Sequence, residues 1–366
     1  MGGIGRRSVL FTGLAAAGRL LGAGQKPVVF PSDAVRYPDP LTSIDVYRLT
    51  NPEYSSTMTA YYNRGIARNS SWMLCCSDRT GTPQAFHLDL KTAEMRQLTE
   101  SEGLDGLSLT LTPDNRAFCF AAGRSVWMLP LAGTAKEREI YRVPEGWERS
   151  GGMSVGPDGT HATLVERKGG TWRLRMAAFA GGARTVLEST SPIEDPIARP
   201  MRAQILYRQA ADSIWMVNMD GTQNRRLKLE PGGVGTPNWS TDGRVVLYLN
   251  FPEDKHQLNN LREYAPDAGT DRMIGKTSQF ASFSANRDSS VFVAASRNLA
   301  SPDVLLFVRV ANSERTLCEH KSRADWVAPV FSPDSQRIYF QSDRHGKPAI
   351  YCMHVEKLVE KTEPAG

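Results

Sequence analysis

The sequence has few cysteines and histidines, and neither type shows the spacing of a metal site. The number of cysteines is odd and no C-x-x-C pair occurs, which argues against a zinc site or a dense disulfide framework. The six histidines include no H-x-H or H-x-x-x-H pair. The sequence also lacks a G-x-S-x-G elbow, a Walker loop, a G-x-G-x-x-G fingerprint and an EF-hand loop. No motif that defines an enzyme class by itself is therefore present.

Long runs of one charge and long apolar runs are missing as well. The formal net charge is +5 without a run of five lysines or arginines, so we predict no nucleic-acid partner. The apolar stretch near the N-terminus is interrupted by Arg19 and is too short to form a stable membrane span. Because Arg6 and Arg7 precede this stretch, residues 1–25 resemble a twin-arginine export signal. We predict a periplasmic or secreted protein; the alternative for this segment is an ordinary amphipathic helix.

What the sequence does contain is a repeat. "SDRTGTPQAFHLDL" (77–90) aligns without a gap with "SDRHGKPAIYCMHV" (342–355). A turn followed by an apolar strand also recurs, as in "LTPDNRAFCF" (111–120), "WSTDGRVVLYL" (239–249) and "FSPDSQRIYF" (331–340). Proline, aspartate and glycine in these segments supply turn geometry, and the residues after them favour strands. The repeat therefore predicts many short strands joined by turns.

The spacing of the turns predicts the architecture. Intervals between successive turns, counted from Asn69 to Asp334, are about 45, 44, 84, 46 and 46 residues, and the long one is two units. Seven units of about 44 residues, each with four strands, are typical of a propeller. We predict an all-β, seven-bladed β-propeller over residues 44–357, in which residues 44–50 are an N-terminal strand donated to the last blade. Residues 26–43 are then a leader segment, and 358–366 a frayed tail.

In such a ring a connection, here called a D–A loop, leads from the outermost strand of one blade to the innermost strand of the next. The D–A loops surround one end of the central funnel, so we expect a site there. Arginine suits carboxylate recognition, and aromatic rings suit stacking on sugars. The alternative for each side chain is a structural role. The predicted substrate-binding residues are Arg199, Arg202, Arg208, Asn238, Gln279 and Trp326.

Two families share these motifs. "FSPDSQRIYFQSDRHGKPAIY" is similar to the repeat of the TolB-type propellers, which bind a ligand or protein partner on the funnel face. The segment "SDRTGTPQAFHLDLKTAEMRQLTE", preceded by "RLTN", resembles the oligogalacturonate lyases. That resemblance implies a seven-bladed propeller that cleaves pectin fragments by β-elimination, with a histidine base and manganese held mainly by histidines.

The sequence departs from the lyases at the positions that carry this chemistry. A His-Glu pair of the family aligns with Thr236 and Pro237, and a His-Pro-His-Pro segment with residues 326–329, which include Trp326 and Ala328. The Cys-His-Glu segment with the family's catalytic histidine aligns with residues 207–209, Tyr-Arg-Gln. The resemblance implies manganese, but its ligand positions are not retained. We therefore predict no metal site, no confident cofactor and no assignable catalytic residue.

These observations leave two functional hypotheses. The first is an exported propeller of the oligogalacturonate-lyase type that binds an anionic (uronate) oligosaccharide and could cleave it by β-elimination, as a carbon-oxygen lyase. The second is a non-catalytic TolB-like scaffold that binds a protein partner on the funnel face. Either is expected to be a monomer.

Overall fold

The computed structural model describes residues 28–132, 136–210, 212–254 and 256–359. The predicted export signal, residues 1–25, lies outside this part of the chain. Three short strands come first: β1 (Val29–Phe30), β2 (Val35–Pro38) and β3 (Asp45–Arg48). Blade one contains β4 (Ser56–Thr57), β5 (Trp72–Ser77), β6 (Gln84–Asp89) and β7 (Met95–Gln97). Blade two contains β8 (Leu104–Leu111), β9 (Ala117–Ala122), β10 (Ser125–Pro130) and β11 (Arg138–Arg142).

The next three blades have the same four-strand order. Blade three contains β12 (Glu148–Val155), β13 (His161–Lys168), β14 (Thr171–Ala178) and β15 (Ala183–Ser189). Blade four contains β16 (Glu194–Ala198), β17 (Gln204–Arg208), β18 (Ile214–Asn218) and β19 (Arg225–Arg226). Blade five contains β20 (Gly233–Trp239), β21 (Val246–Phe251), β22 (Asn260–Ala265) and β23 (Thr270–Lys276).

The last two blades complete the ring. Blade six contains β24 (Phe280–Ala285), β25 (Val291–Ser296), β26 (Asp303–Val308) and β27 (Ser313–Glu319). The one-turn helix α1 (Ala324–Val327) leads into blade seven. This blade contains β28 (Val330–Phe331), β29 (Arg337–Ser342) and β30 (Ala349–His354), and the short helix α2 (Glu356–Val359) follows it. The seven sheets confirm the predicted all-β, seven-bladed propeller. No helix in the described ranges is long and apolar enough to cross a membrane.

The N-terminal part of the described chain is built into two blades. Strand β3 pairs with β30, with Tyr47 opposite Cys352, so the seventh sheet takes its outer strand from the start of the chain. Residues 28–43, predicted as a leader segment, contain β1 and β2, which add further strands to the edges of blades one and seven. At the other end, α2 includes the first residues of the predicted tail, and Leu358 packs against the core.

The core lies between neighbouring blades. Seven clusters of buried apolar side chains fill the seven blade-to-blade interfaces. Successive residues of a middle strand point to opposite interfaces: in β21, Val246 and Tyr248 face blade four, whereas Leu247 and Leu249 face blade six. This is why the middle strands are apolar throughout rather than alternating. All five cysteines are buried and unbonded within these interfaces, where they act as small apolar side chains.

Candidate functional site: the central cavity

A cavity of about 1170 Å³ lies on the axis of the ring. Residues from all seven blades line it, mainly from the innermost strands and the connections at their two ends. One end is surrounded by the D–A loops. The other is surrounded by the turns between the first and second strands of each blade, here called A–B turns. The volume is large enough for an oligosaccharide or a comparable small ligand.

The innermost strand of blade one is interrupted by a loop that enters this cavity. Residues 58–65, here called the central loop, separate β4 from the isolated bridge of Ile66 with Met73. Asn63 Nδ2 donates to the carbonyl oxygens of Leu107 in blade two and Met153 in blade three, both at 3.0 Å. The central loop therefore bridges the ring across its axis.

Further hydrogen bonds of the central loop reach three more blades. Tyr61 Oη donates to Asp195 Oδ2 of blade four at 3.1 Å. Asn238 Nδ2 of blade five donates to the Tyr61 carbonyl oxygen at 3.4 Å, and Met58 N donates to Gln341 Oε1 of blade seven at 2.9 Å. Each contact satisfies a polar group that the cavity would otherwise leave unpaired.

Tyr62 packs against a glycine. Gly152 has φ +101° and belongs to a bulge of β12, where the pairing with β13 shifts between Ser150 and Met153. A Cβ atom at Gly152 would lie 2.2 Å from the Tyr62 hydroxyl oxygen. Both the backbone conformation and the close approach therefore require glycine.

At the D–A end of the cavity, three aspartates are each matched by an arginine. Asp105 Oδ2 accepts two hydrogen bonds of 3.2 Å from Arg149, and Asp325 Oδ2 accepts one of 2.8 Å from Arg323. Asp195 Oδ2 lies 3.4 Å from Arg208 Nη2. Because each carboxylate has a cationic partner, this end is nearly neutral.

Burial changes the titration of the groups around Asp195. Desolvation raises the pKa of Asp195 above its usual range, although Arg208 and the Tyr61 hydroxyl both favour its charged form. Desolvation, followed by the Asp195 charge, raises the pKa of Tyr61 well above its usual range. Tyr61 is therefore a neutral hydrogen-bond donor at physiological pH rather than a base.

The A–B end carries three arginines. Arg64 is the next-to-last residue of the central loop, and its carbonyl oxygen accepts a hydrogen bond from Leu111 N at the end of β8. Arg68 belongs to the A–B turn of blade one, and Arg287 to that of blade six; all three line the cavity. The ion pairs found in the described part of the chain include none of these guanidinium groups.

Two predicted binding residues, Arg199 and Arg202, lie elsewhere. Their assignment to a D–A loop is wrong, because they belong to the A–B turn that joins β16 to β17. Arg199 is 2% exposed. Its Nε donates to the Gly243 carbonyl oxygen at 2.8 Å, and its terminal nitrogens bind Asp267 at 2.9 and 2.7 Å. Arg199 therefore fastens blade four to blade five, and neither arginine lines the cavity.

The other four predicted residues are closer to the axis. Asn238 and Trp326 line the cavity. Arg208 does not line it but holds Asp195, which does. Gln279 lies in a D–A loop with φ +60°, and its carbonyl oxygen accepts a hydrogen bond from Arg297 N rather than facing the cavity. The structure thus brings Trp326 and the Arg208–Asp195 pair to the D–A end of the cavity, whereas Asn238 lies near the other end of its strand, next to the A–B turn of blade five.

The cavity does not fit a manganese ion. Thr236, Trp326 and Ala328, at positions that align with the lyase histidines, line the cavity but offer a hydroxyl, an indole and a methyl group. Manganese prefers carboxylate, carbonyl, water or imidazole ligands. The nearby carboxylates are engaged with arginines, and no group of three His, Cys, Asp or Glu side chains within the described ranges could hold a metal.

Sequence reasoning missed the central loop and the three arginines at the A–B end. A signal for the loop was present, since "MTAYYNRG" interrupts the first repeat unit between two strand-forming segments. The signal for the arginines is a substitution. Arg68 and Arg287 occupy the turn position that carries Pro113, Pro157 and Pro333 in other units.

Comparison with known proteins identifies the lyases as relatives. The sequence model of the oligogalacturonate lyase family matches residues 25–179. The chain is 23% identical to an oligogalacturonide lyase of Pectobacterium atrosepticum over 374 residues, which cover 88% of this chain and 96% of that protein. The predicted resemblance to the oligogalacturonate lyases is therefore confirmed.

A solved structure gives the same result for the fold. An oligogalacturonate lyase in complex with manganese matches with a TM-score of 0.84 and 23% identity, covering 90% of this chain and 98% of that one. The Tol-Pal system protein TolB of Nitratidesulfovibrio vulgaris is 28% identical over 133 residues, which cover 36% of this chain and 29% of that protein. This sequence match to TolB covers only part of the repeat array.

Proposed function

Because the chain resembles the oligogalacturonate lyases over most of its length and shares their propeller fold, we propose that it binds an anionic oligosaccharide of the uronate class in the central cavity. The observation that carries this proposal is the charge of the cavity. Its three aspartates are paired with arginines, whereas Arg64, Arg68 and Arg287 have no carboxylate partner among the described residues. The lining is therefore positive and suits a ligand with several carboxylates.

The other lining groups suit a sugar. Tyr61 and Tyr62, whose rings meet edge to face at 4.9 Å, and Trp326 offer apolar faces for pyranose rings. Thr236 Oγ1 and Asn63 Oδ1 are buried without a hydrogen-bond partner in the described part of the protein, so a sugar hydroxyl group would reach them only after these side chains reorient.

Binding is the part of lyase function that this site supports. β-Elimination needs a base of suitable pKa and a positive charge at the substrate carboxylate. The described lining contains no histidine or lysine, and Tyr61 and Tyr62 both have strongly raised pKa values because they are desolvated. Cleavage by a carbon-oxygen lyase mechanism stays a prediction from the resemblance.

A protein partner, the alternative occupant, would require a broad apolar surface around the funnel. Among the large exposed apolar side chains of the described residues, Leu107 is the one that lines the cavity. This favours the saccharide over the protein partner. The predicted export signal would place the binding in the periplasm or the medium, which fractionation of the producing cells would test.

Calorimetric titration of the protein with trigalacturonate tests the proposal, with neutral galactotriose as the matched ligand. We expect saturable binding of trigalacturonate that weakens with added salt, and none of galactotriose. Equal or absent binding of both would refute the proposal. Absorbance near 235 nm during the same incubation, with and without manganese, would report the unsaturated product if elimination occurs.

A further inference from the structure

The cavity arginines that form no ion pair with a described residue all lie at one end of the cavity. Arg68 and Arg287 are exposed on A–B turns, and Arg64 lies half-buried behind them. Blade seven connects the two turns, because Ser70 Oγ accepts from Asp334 N at 3.3 Å and Ser335 Oγ accepts from Arg287 N at 3.3 Å. The A–B turns of blades six, seven and one therefore form a continuous rim.

The sequence of this rim shows a departure from its own repeat. One position of the A–B turn lines the cavity in four blades. It is arginine in blades one and six, but Thr241 in blade five and Pro333 in blade seven. Proline or threonine is sufficient to form the turn, so arginine is not needed for turn geometry. The two substitutions place positive charge at the rim of the cavity.

Arg64 has a burial cost that no group in the described ranges offsets. Desolvation lowers its pKa, and the neighbouring charge of Arg68 lowers the pKa further. A half-buried cation next to another cation is unfavourable unless an anion joins them. The geometry of the central loop nevertheless holds Arg64 there, because its carbonyl oxygen is bound to β8.

The carboxylates nearest in sequence do not supply that anion. Asp288 Oδ1 accepts from Ser290 N and Oγ, and Asp334 Oδ1 accepts from Ser332 Oγ and Gln336 N. Both therefore stabilise their own turns, and neither lines the cavity. At the D–A end, by contrast, each lining aspartate already has an arginine.

We infer that the A–B end of the cavity is a carboxylate-binding site formed by Arg64, Arg68 and Arg287, and that it takes the uronate carboxylates of the saccharide. This inference rests on the proposed function for the identity of its ligand. It makes the ligand approach from the A–B face, opposite to the D–A face where the sequence led us to expect the site. The central loop then contacts the inner end of the bound ligand.

Substitution of the two exposed arginines tests the location of the site. The double variant Arg68→Gln/Arg287→Gln should bind trigalacturonate about tenfold or more weakly than the unchanged protein, because charge-assisted hydrogen bonds to carboxylates are lost. It should also show a smaller salt dependence. The matched control is Arg202→Gln, an exposed arginine of another A–B turn that does not line the cavity. Equal affinity of the double variant and the control would overturn the inference while leaving the proposed function intact.

A second probe keeps the site testable without the saccharide. Thermal unfolding in increasing sodium sulfate, with sodium chloride at matched ionic strength as reference, reports anion binding on its own. We expect sulfate to raise the Tm of the unchanged protein and of Arg202→Gln more than that of the double variant. If trigalacturonate does not bind but this difference is found, the anion site stands and the proposed saccharide fails. If the sulfate response is the same in all three proteins, the site is refuted.

Discussion

Two arginines of this protein illustrate opposite ways of burying a guanidinium group. Arg199 is 2% exposed, donates hydrogen bonds to Gly243 and Asp267, and lies over the Trp239 ring at 4.9 Å. Arg64 is half-buried, no described carboxylate pairs with it, and its pKa is lowered by desolvation and by Arg68. Burial with satisfied hydrogen bonds indicates a structural role, whereas a partly desolvated guanidinium group that lines a cavity remains available to an anion.

This contrast predicts different effects on stability. Arg199→Met should lower the free energy of unfolding by about 2 kcal/mol, since the Gly243 carbonyl oxygen and the link to blade five lose their donor. Arg64→Met should change it by less than about 0.5 kcal/mol, or raise it, because an uncompensated charge is removed. Urea denaturation of both variants measures the difference. A larger loss for Arg64→Met than for Arg199→Met would contradict the roles assigned to them.

The placement of Arg199 also shows what the sequence could not reveal at this scale. In blades two, three, five and seven the A–B turn carries an acidic residue after proline or threonine, which marks its position. In blade four the same turn reads "PMRA" (200–203), with Met201 at φ +60°, so nothing in the sequence identified it. Arg199 and Arg202 were therefore placed one loop away from their true position, at the wrong end of the funnel.

At the scale of elements, the central loop decides the shape of the cavity. The middle strands were predictable, because residues such as those of β21 and β29 are apolar on both faces and follow a marked turn. The interruption of the innermost strand of blade one was not predictable, because the course of the central loop depends on contacts with five other blades. These contacts are distant in sequence: Met58 binds Gln341, and Tyr61 binds Asp195.

The bulge at Gly152 offers a test of how tightly the central loop is held. Gly152→Ala should lower the free energy of unfolding by about 2 kcal/mol, because φ is positive and the new methyl group would overlap the Tyr62 hydroxyl. The matched control is Gly170→Ala in the same blade, where a Cβ meets no atom within 4 Å. Adding Tyr62→Phe to Gly152→Ala should recover part of the loss, as removal of the hydroxyl relieves the overlap. Equal stability of the two alanine variants would show that the loop is not packed as described.

At the scale of the whole molecule, the ring depends on strands from both ends of the described chain. Val46 of β3 packs in the interface of blades six and seven, and Leu49 N donates to the Ile350 carbonyl oxygen at 2.8 Å. Without β3, strand β30 would have a free edge and an uncovered apolar face. The regular spacing of the units made the ring predictable, while β1 and β2 were not, since no repeat unit contains them.

Deletion of the N-terminal strands tests this closure. A protein that begins at residue 51 should lose its cooperative thermal transition and associate through the free edge of β30. One that begins at residue 35, which lacks β1 but keeps β2 and β3, should fold and remain a monomer, the predicted state. Circular dichroism and light scattering of the two proteins provide the comparison. Cooperative unfolding of the shorter, monomeric protein would contradict closure by β3.

The most direct test of the central claim is titration of trigalacturonate into protein that has been freed of metal on a chelating resin. The cationic lining requires no manganese to attract the uronate carboxylates, so we predict saturable, salt-sensitive binding whose affinity stays within about twofold when manganese is added back. Binding that occurs only after manganese is restored would contradict the claim, because it would mean that a metal rather than the arginines of the cavity holds the ligand.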